Sequence, residues 1–156
     1  MAIEMQVTNE GKTSRQRPET DSVEGALSQV GDKWAFLVLR DAFFGIRRFD
    51  AFLASTGASP NILSDRLKKL VGYGILTKSR YQERPTRFEY RLTEKGRDLY
   101  PAIVLLMKWG DRWIGECDRP PLKLVHKTCG KVSEPTLRCD CCNGEIHVAD
   151  MDWKLG

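Results

Sequence analysis

The stretch SPNILSDRLKKLVGYG, residues 59–74, opens with a hydroxyl residue, Ser59, followed by Pro60. A serine oxygen can accept from the unpaired amides of a helix's first turn, and proline at the first helical position forfeits no hydrogen bond. The pattern predicts a helix that stops at Gly72 or Gly74. Leu63, Leu67, Leu70 and Val71 fall on one apolar stripe. Asn61, Asp65 and Lys68 point away from that stripe, with Ser64 and Lys69 on its shoulders. Taken alone, this fits an ordinary surface helix as well as a reading one. Its neighbours decide.

Upstream, Val23, Ala26, Leu27 and Val30 recur at helical spacing until Gly31 breaks the run and Asp32 can cap the next helix. Trp34, Leu37, Val38 and Ala42 continue the pattern to Phe44 before Gly45. A short amphipathic piece from Arg48 to Ser55 buries Phe49, Phe52 and Leu53, and Gly57 ends it. Downstream, Ile75 to Tyr81 reads as a strand and Gln82 to Thr86 as a turn. Arg87 to Leu92 then alternates, with Phe88, Tyr90 and Leu92 expected inward. The result is a hairpin tipped by Arg84 and Arg87, directly after a helix–turn–helix. Three helices followed by a basic hairpin is the winged-helix plan: the last helix enters the major groove and the hairpin straddles phosphates.

Thr93-Glu94-Lys95-Gly96 opens a long helix expected to run to about Cys117. Leu99, Ile103, Leu106, Gly110 and Trp113 form a near-heptad seam on it, and Leu105 and Trp109 add a second apolar face. A helix apolar on two sides has one side for its own domain and another for a partner, most simply a second copy. Leu99, Ile103, Leu106, Trp109 and Trp113 are therefore the expected interface of a homodimer. The fold class is α+β: a winged helix-turn-helix domain over residues 21–118 with a long C-terminal dimerisation helix. Residues 1–20, polar with three basic and three acidic groups, read as a disordered lead-in. Residues 119–156 form a small β appendage.

The composition agrees. The chain has 156 residues, 41% of them apolar and 29% charged, enough for one compact domain and an appendage. It lacks the run of about 18–20 apolar residues that crosses a bilayer, and no secretory leader is legible, so a cytoplasmic protein without a membrane partner is expected. Net charge is +4, but between Arg47 and Arg91 ten Lys/Arg face four Asp/Glu. That basic block, in a chain otherwise faintly acidic, suits a polyanion.

Four of the five cysteines lie in the last thirty residues: Cys129, Cys139, Cys141 and Cys142, with Cys117 alone near the expected helix end. A secreted disulfide framework would spread an even number through the fold; terminal clustering favours a metal. His126-x-x-Cys129-Gly130 and Cys139-x-x-Cys142-Asn-Gly144 place two ligand pairs on two turns. Zinc takes four such ligands in a tetrahedron, so His126, Cys129, Cys139 and Cys142 are expected to hold a structural Zn2+ in a zinc-ribbon-like unit. Cys141 could replace Cys139 or Cys142, and His147 could replace His126. Cys117 reads as a small apolar group, not a nucleophile.

An enzyme is not expected. The chain has no Gly-rich phosphate loop, HExxH or GxSxG, and both histidines lie in the cysteine-rich tail. Two other classes compete with a regulator. A general transcription or translation factor could also join a winged helix to a zinc ribbon, and would be monomeric with little sequence preference. A thiol-redox protein could use the adjacent C-terminal cysteines, and would need an exposed, activated thiol beside a resolving one.

Gly31-Asp-Lys-Trp34, Leu39-Arg-Asp41, Gly45-x-Arg-Arg-Phe49, Asn61-x-Leu-Ser-x-Arg-Leu67, Pro85-x-x-x-Glu-Tyr90, Leu92-Thr-x-x-Gly96 and Trp109-Gly110 run in the order seen in HxlR-type transcriptional regulators. Over residues 22–117 the chain resembles that family, and its tail resembles the cysteine-rich extension of a subset of it. The resemblance implies a dimeric winged-helix protein that binds operator DNA. Several family members sense oxidants through a cysteine just ahead of the first helix; here that neighbourhood is Thr20-Asp21-Ser22-Val23, without a thiol. A small-molecule effector is left open.

On double-stranded DNA, Asn61, Ser64, Asp65 and Lys68 are expected at base edges. Asn can pair with adenine, Asp can accept from cytosine and Lys can reach guanine. Arg47, Arg48, Arg66 and Lys69, with Arg84 and Arg87 of the wing, are expected at phosphates.

Overall fold

The computed structural model describes residues 21–114 and 122–152. The lead-in at 1–20, Cys117 and the domain boundary expected at 118–119 lie outside the described residues. Four helices come first: α1 (Ser22–Val30), α2 (Lys33–Phe43), α3 (Phe49–Thr56) and α4 (Pro60–Gly72). Their limits are set by local chemistry. Asp32 Oδ1 accepts from the amides of Trp34 at 3.0 Å and Ala35 at 3.1 Å, closing the open end of α2. Gly57 ends α3 with φ of 68°, a left-handed geometry that costs glycine nothing. Ser59 and Pro60 start α4 as the sequence predicts.

β1 (Leu76–Gln82) and β2 (Arg87–Leu92) pair antiparallel from Leu76↔Leu92 outward, with an irregularity between Arg80 and Gln82. A third short segment joins them: Arg48 bridges Glu89, and the Tyr90 amide donates to Arg47 O at 2.8 Å. The residues entering α3 are thereby stitched to the wing.

The core lies between α2, α3, α4 and the base of the hairpin. Val38, Leu39, Phe52, Leu63, Leu67, Leu70, Ile75 and Leu76 are all 1% exposed or less. The α4 stripe thus anchors the helix as its spacing predicts, with Val71 at the core's margin. Gly96 is a forced glycine: a Cβ there would collide with the Ile75 carbonyl oxygen at the base of the hairpin.

Two expectations are corrected here. The long helix is two: α5 (Glu94–Arg97) and α6 (Tyr100–Trp113). Pro101 has no amide to give and its ring obstructs the carbonyl a turn earlier, so the helix breaks and restarts with the proline in its first turn. Phe88, expected inward, is 38% exposed, with the Lys78 ammonium 4.0 Å from its ring centre. The hairpin outruns the helices beneath it, so alternation buries Tyr90 and Leu92 against the core but leaves Phe88 beyond its edge.

The extension is built differently. Its two turns share one set of bonds. In the first, Val125 bridges Val132, the Gly130 amide donates to His126 O, and the His126 amide donates to Lys131 O. In the second, Arg138 bridges Glu145, the Asn143 amide donates to Cys139 O, and the Cys139 amide donates to Gly144 O. Ser133 to Leu124 O in the first matches Ile146 to Leu137 O in the second. Even the positive φ recurs, 68° at Gly130 and 58° at Asn143. A last 3-10 turn spans Val148–Asp150.

Candidate nucleic-acid interface and metal-binding turns

Asn61, Ser64, Asp65, Lys68 and Lys69 are all exposed on the outer side of α4, opposite the buried leucines. Asp65 Oδ2 lies 3.1 Å from Lys69 Nζ, one helical turn on. Such an exposed pair is worth little and yields readily to a stronger partner. Arg66 is half-buried: its Nη1 lies 3.2 Å from Asp32 Oδ2 and its side chain is 28% exposed. The guanidinium pairs with the free oxygen of the α2 cap, a contact between α4 and α2 that its helical position did not reveal.

The wing stands beside this face. Arg84 and Arg87 are exposed at the hairpin end, as expected. The turn between the strands is tied by Gln82 Nε2 donating to Arg84 O at 3.0 Å and by Thr86 Oγ1 donating to Glu83 O at 3.1 Å. Arg47 and Arg48 are also exposed, and the Arg48 guanidinium lies 4.7 Å from the Tyr81 ring centre. A groove of about 410 Å³ opens between α3 and the wing, walled by Arg48, Tyr81, Arg87 and Phe88. The hydrogen bond from Arg91 Nε, at 2.8 Å, with the charges of Arg91 and Arg47, holds the Glu89 carboxyl below its ordinary range. The exposed Lys78 and Arg80 on β1 complete the basic rim. They were not singled out from the sequence, although the excess of cations from 47 to 91 includes them.

On α6, Leu106, Trp109 and Trp113 are at least half exposed. Leu99 and Ile103 are a correction: Ile103 is 5% exposed within the core and Leu99 packs against it. Ile103 shares α6 with Leu106, Trp109 and Trp113 but sits on its core side, with Leu99 beside it, so the seam straddles two faces of the helix. On α1, Val23 and Leu27 of the helical repeat are more than half exposed as well.

In the extension, His126 Nδ1 is 3.4 Å from Cys129 Sγ, and Cys139 and Cys142 form the corresponding pair of the second turn. Hydrogen bonds from the amides of Cys142 and Cys141 hold the Cys139 thiol below its ordinary pKa, toward the thiolate that binds metal. A Cβ at Gly144 would lie 3.3 Å from Cys142 Sγ, so the glycine leaves the sulfur its room. The four expected ligands come together as two pairs, not as one cluster. Among the described residues the compact group is Cys139, Asp140 and Cys141, with ligand atoms within 4.8 Å of one another. Three consecutive residues on an exposed turn are near each other by covalent connection. The repeated bonding, in contrast, puts Cys139 and Cys142 in the places of His126 and Cys129. Cys141 occupies the place of Thr128, and His147 lies beyond the second turn.

No described helix is long and apolar enough to cross a membrane. Residues 29–118 match the family model described as HxlR-like helix-turn-helix. A helix-turn-helix-type transcriptional regulator of Mycobacterium tuberculosis is 48% identical over 140 residues, covering 90% of this chain and 89% of the relative. One of Synechocystis is 37% identical over 59% of this chain and 69% of its own length. The solved structure of PA1607, a proposed transcription factor, superposes with a TM-score of 0.77 at 32% identity, covering 88% of this chain and 96% of that one. The oxidised redox regulator HypR gives 0.57 at 29% identity, over 60% of this chain and 98% of its own. The order of helices and wing, the exposed face of α4 and these likenesses converge: the chain belongs to the HxlR-like helix-turn-helix family of transcriptional regulators.

Proposed function

We propose that the chain acts as a homodimer on a pseudo-palindromic operator, with α4 in the major groove and the wing on the flanking backbone. The observation that carries this reading is the outer side of α4, where Asn61, Ser64, Asp65 and Lys68 stand uncovered while Leu63, Leu67 and Leu70 are buried. Asn61, Ser64, Asp65 and Lys68 read base edges; Arg47, Arg48, Lys69, Arg84 and Arg87 hold phosphates and fix register. Arg66, paired with Asp32 in the free chain, is the sixth phosphate contact proposed. Leu106, Trp109 and Trp113 of α6, joined by Val23 and Leu27 of α1, supply the dimer face.

The extension is proposed to hold one structural Zn2+ through His126, Cys129, Cys139 and Cys142. The matching turns, the thiolate-favouring amides and the space left at Gly144 support that set. The metal would supply a tetrahedral tie between two turns that share little apolar packing.

Selection of bound sequences from random duplex DNA, with and without a chelator, tests both parts. A two-fold-symmetric consensus with half-sites about one helical turn apart is expected. Asn61→Ala should cost about 1–3 kcal/mol in binding and relax the preference at one position. Retention of duplexes with no enriched sequence, or an unchanged consensus in Asn61→Ala, would sink the assignment.

A further inference from the structure

Lys95, which neither the reading face of α4 nor the wing uses, sits where three elements meet. Its ammonium donates to Tyr73 O at 2.8 Å and to Gln29 Oε1 at 2.9 Å. Tyr73 is the C-cap of α4, so the first bond sets a cation on the last carbonyls of that helix, where its dipole favours one. The second bond reaches back 66 residues to α1. The short α5 that carries Lys95 is itself held at this corner. Thr93 Oγ1 donates to Gly74 O at 2.7 Å, and Gly96 packs so close to Ile75 O that a Cβ would not fit. The lysine therefore reaches out from a clamped base.

What it holds matters because α1 is rooted at one end. Of its 9 residues only Val30, the last, is buried, while Val23 and Leu27 are more than half exposed. Such a helix is aimed by whatever grips its root, and Gln29, beside Val30, takes the Lys95 bond there. A helix of this length spans about 13 Å, so a tilt of about 10° moves its far end by about 2 Å. A two-fold axis doubles that error, which then exceeds the roughly 3.4 Å rise of one base pair. We infer that Lys95 is a positioning residue: it fixes α1 to the end of α4, and thereby sets the distance between the two reading helices of a dimer and the half-site spacing it accepts. The inference rests on the proposed homodimer with α1 in its face.

The test selects bound sequences from random duplexes with the full-length parent chain, Lys95→Met and Gln29→Leu. Affinities are then measured on the full site and on a duplex with one intact half-site. Gln29→Leu removes the acceptor without changing charge, so it separates aiming from the loss of a cation near DNA. Both variants should keep the half-site sequence, accept spacings about one base pair either side of the parent's, and bind the full site about tenfold more weakly. On the single half-site both should match the parent within about twofold. The double variant should bind no more weakly than Lys95→Met, because the two residues act through one bond. Unchanged spacing in both single variants, equal losses on full site and half-site, or losses that multiply in the double variant would overturn the inference and leave the dimer standing. A parent chain with no two-fold consensus would overturn the dimer and the inference together.

Discussion

The winged-helix domain and the extension hold their shapes by opposite means. In the first, eight large apolar side chains are sealed from water and the backbone follows them. In the second, backbone bonds define two matching turns while Val125, Val132, Leu137 and Val148 are all more than half exposed. Apolar burial supplies the driving force for a domain of this size, whereas a unit of some thirty residues has too little of it and needs a staple. The cysteine-rich tail is therefore the side of the comparison where the proposed Zn2+ would matter most.

The sharpest way to break the contrast is to take the ion away. Chelation, or Cys139→Ser, should unfold the extension outright while the helices and hairpin persist, read as selective loss of amide dispersion in residues 122–152. Zinc contributes about 10–16 kcal/mol to comparable small sites. If both regions unfold together, the two are one cooperative unit. The converse substitution, Leu67→Ala, should cost the winged-helix domain about 2–5 kcal/mol in urea denaturation and leave metal content unchanged. A smaller effect should follow from Lys69→Ala. It leaves Asp65 with Arg66 alone and removes one proposed phosphate contact, weakening all duplexes alike and lowering the salt slope by about 1.

The smallest change should come from Glu89. Its carboxyl titrates lower in the folded chain than the ordinary 4.5, chiefly through the Arg91 hydrogen bond. The contribution is present above that ordinary value and is lost as pH falls through the lowered one. Glu89→Gln should thus narrow the stability difference between neutral and acid solution slightly. An unchanged difference would show the wing pair to be idle.

What could be read without coordinates was whatever depends on near neighbours. Ser59-Pro60, Asp32 and the four-three spacing of leucines act within a turn or two, and each did its expected work. The misreadings involve distance. The ion pair of Arg66 was missed because its partner, Asp32, sits far back in the chain. Phe88 kept the alternation of a half-buried strand at a point beyond the core's edge, where it walls an open groove. The seam grouped Leu99 and Ile103 with Leu106, Trp109 and Trp113, although the first two face the core and the others do not, a distinction set by what packs against α6 and not by spacing. For the extension, ligand spacing identified the pairs; the shared bonding of the turns, which ranks Cys142 above Cys141, emerges only in three dimensions.

Asp32 carries two duties on one carboxylate, Oδ1 closing a helix and Oδ2 grasping Arg66. Serine would serve the first as well but not the second. An Asp32→Ser allele would accordingly keep its helix cap and release the guanidinium of Arg66, with α4 still seated on its leucines, so its melting curve should hardly move.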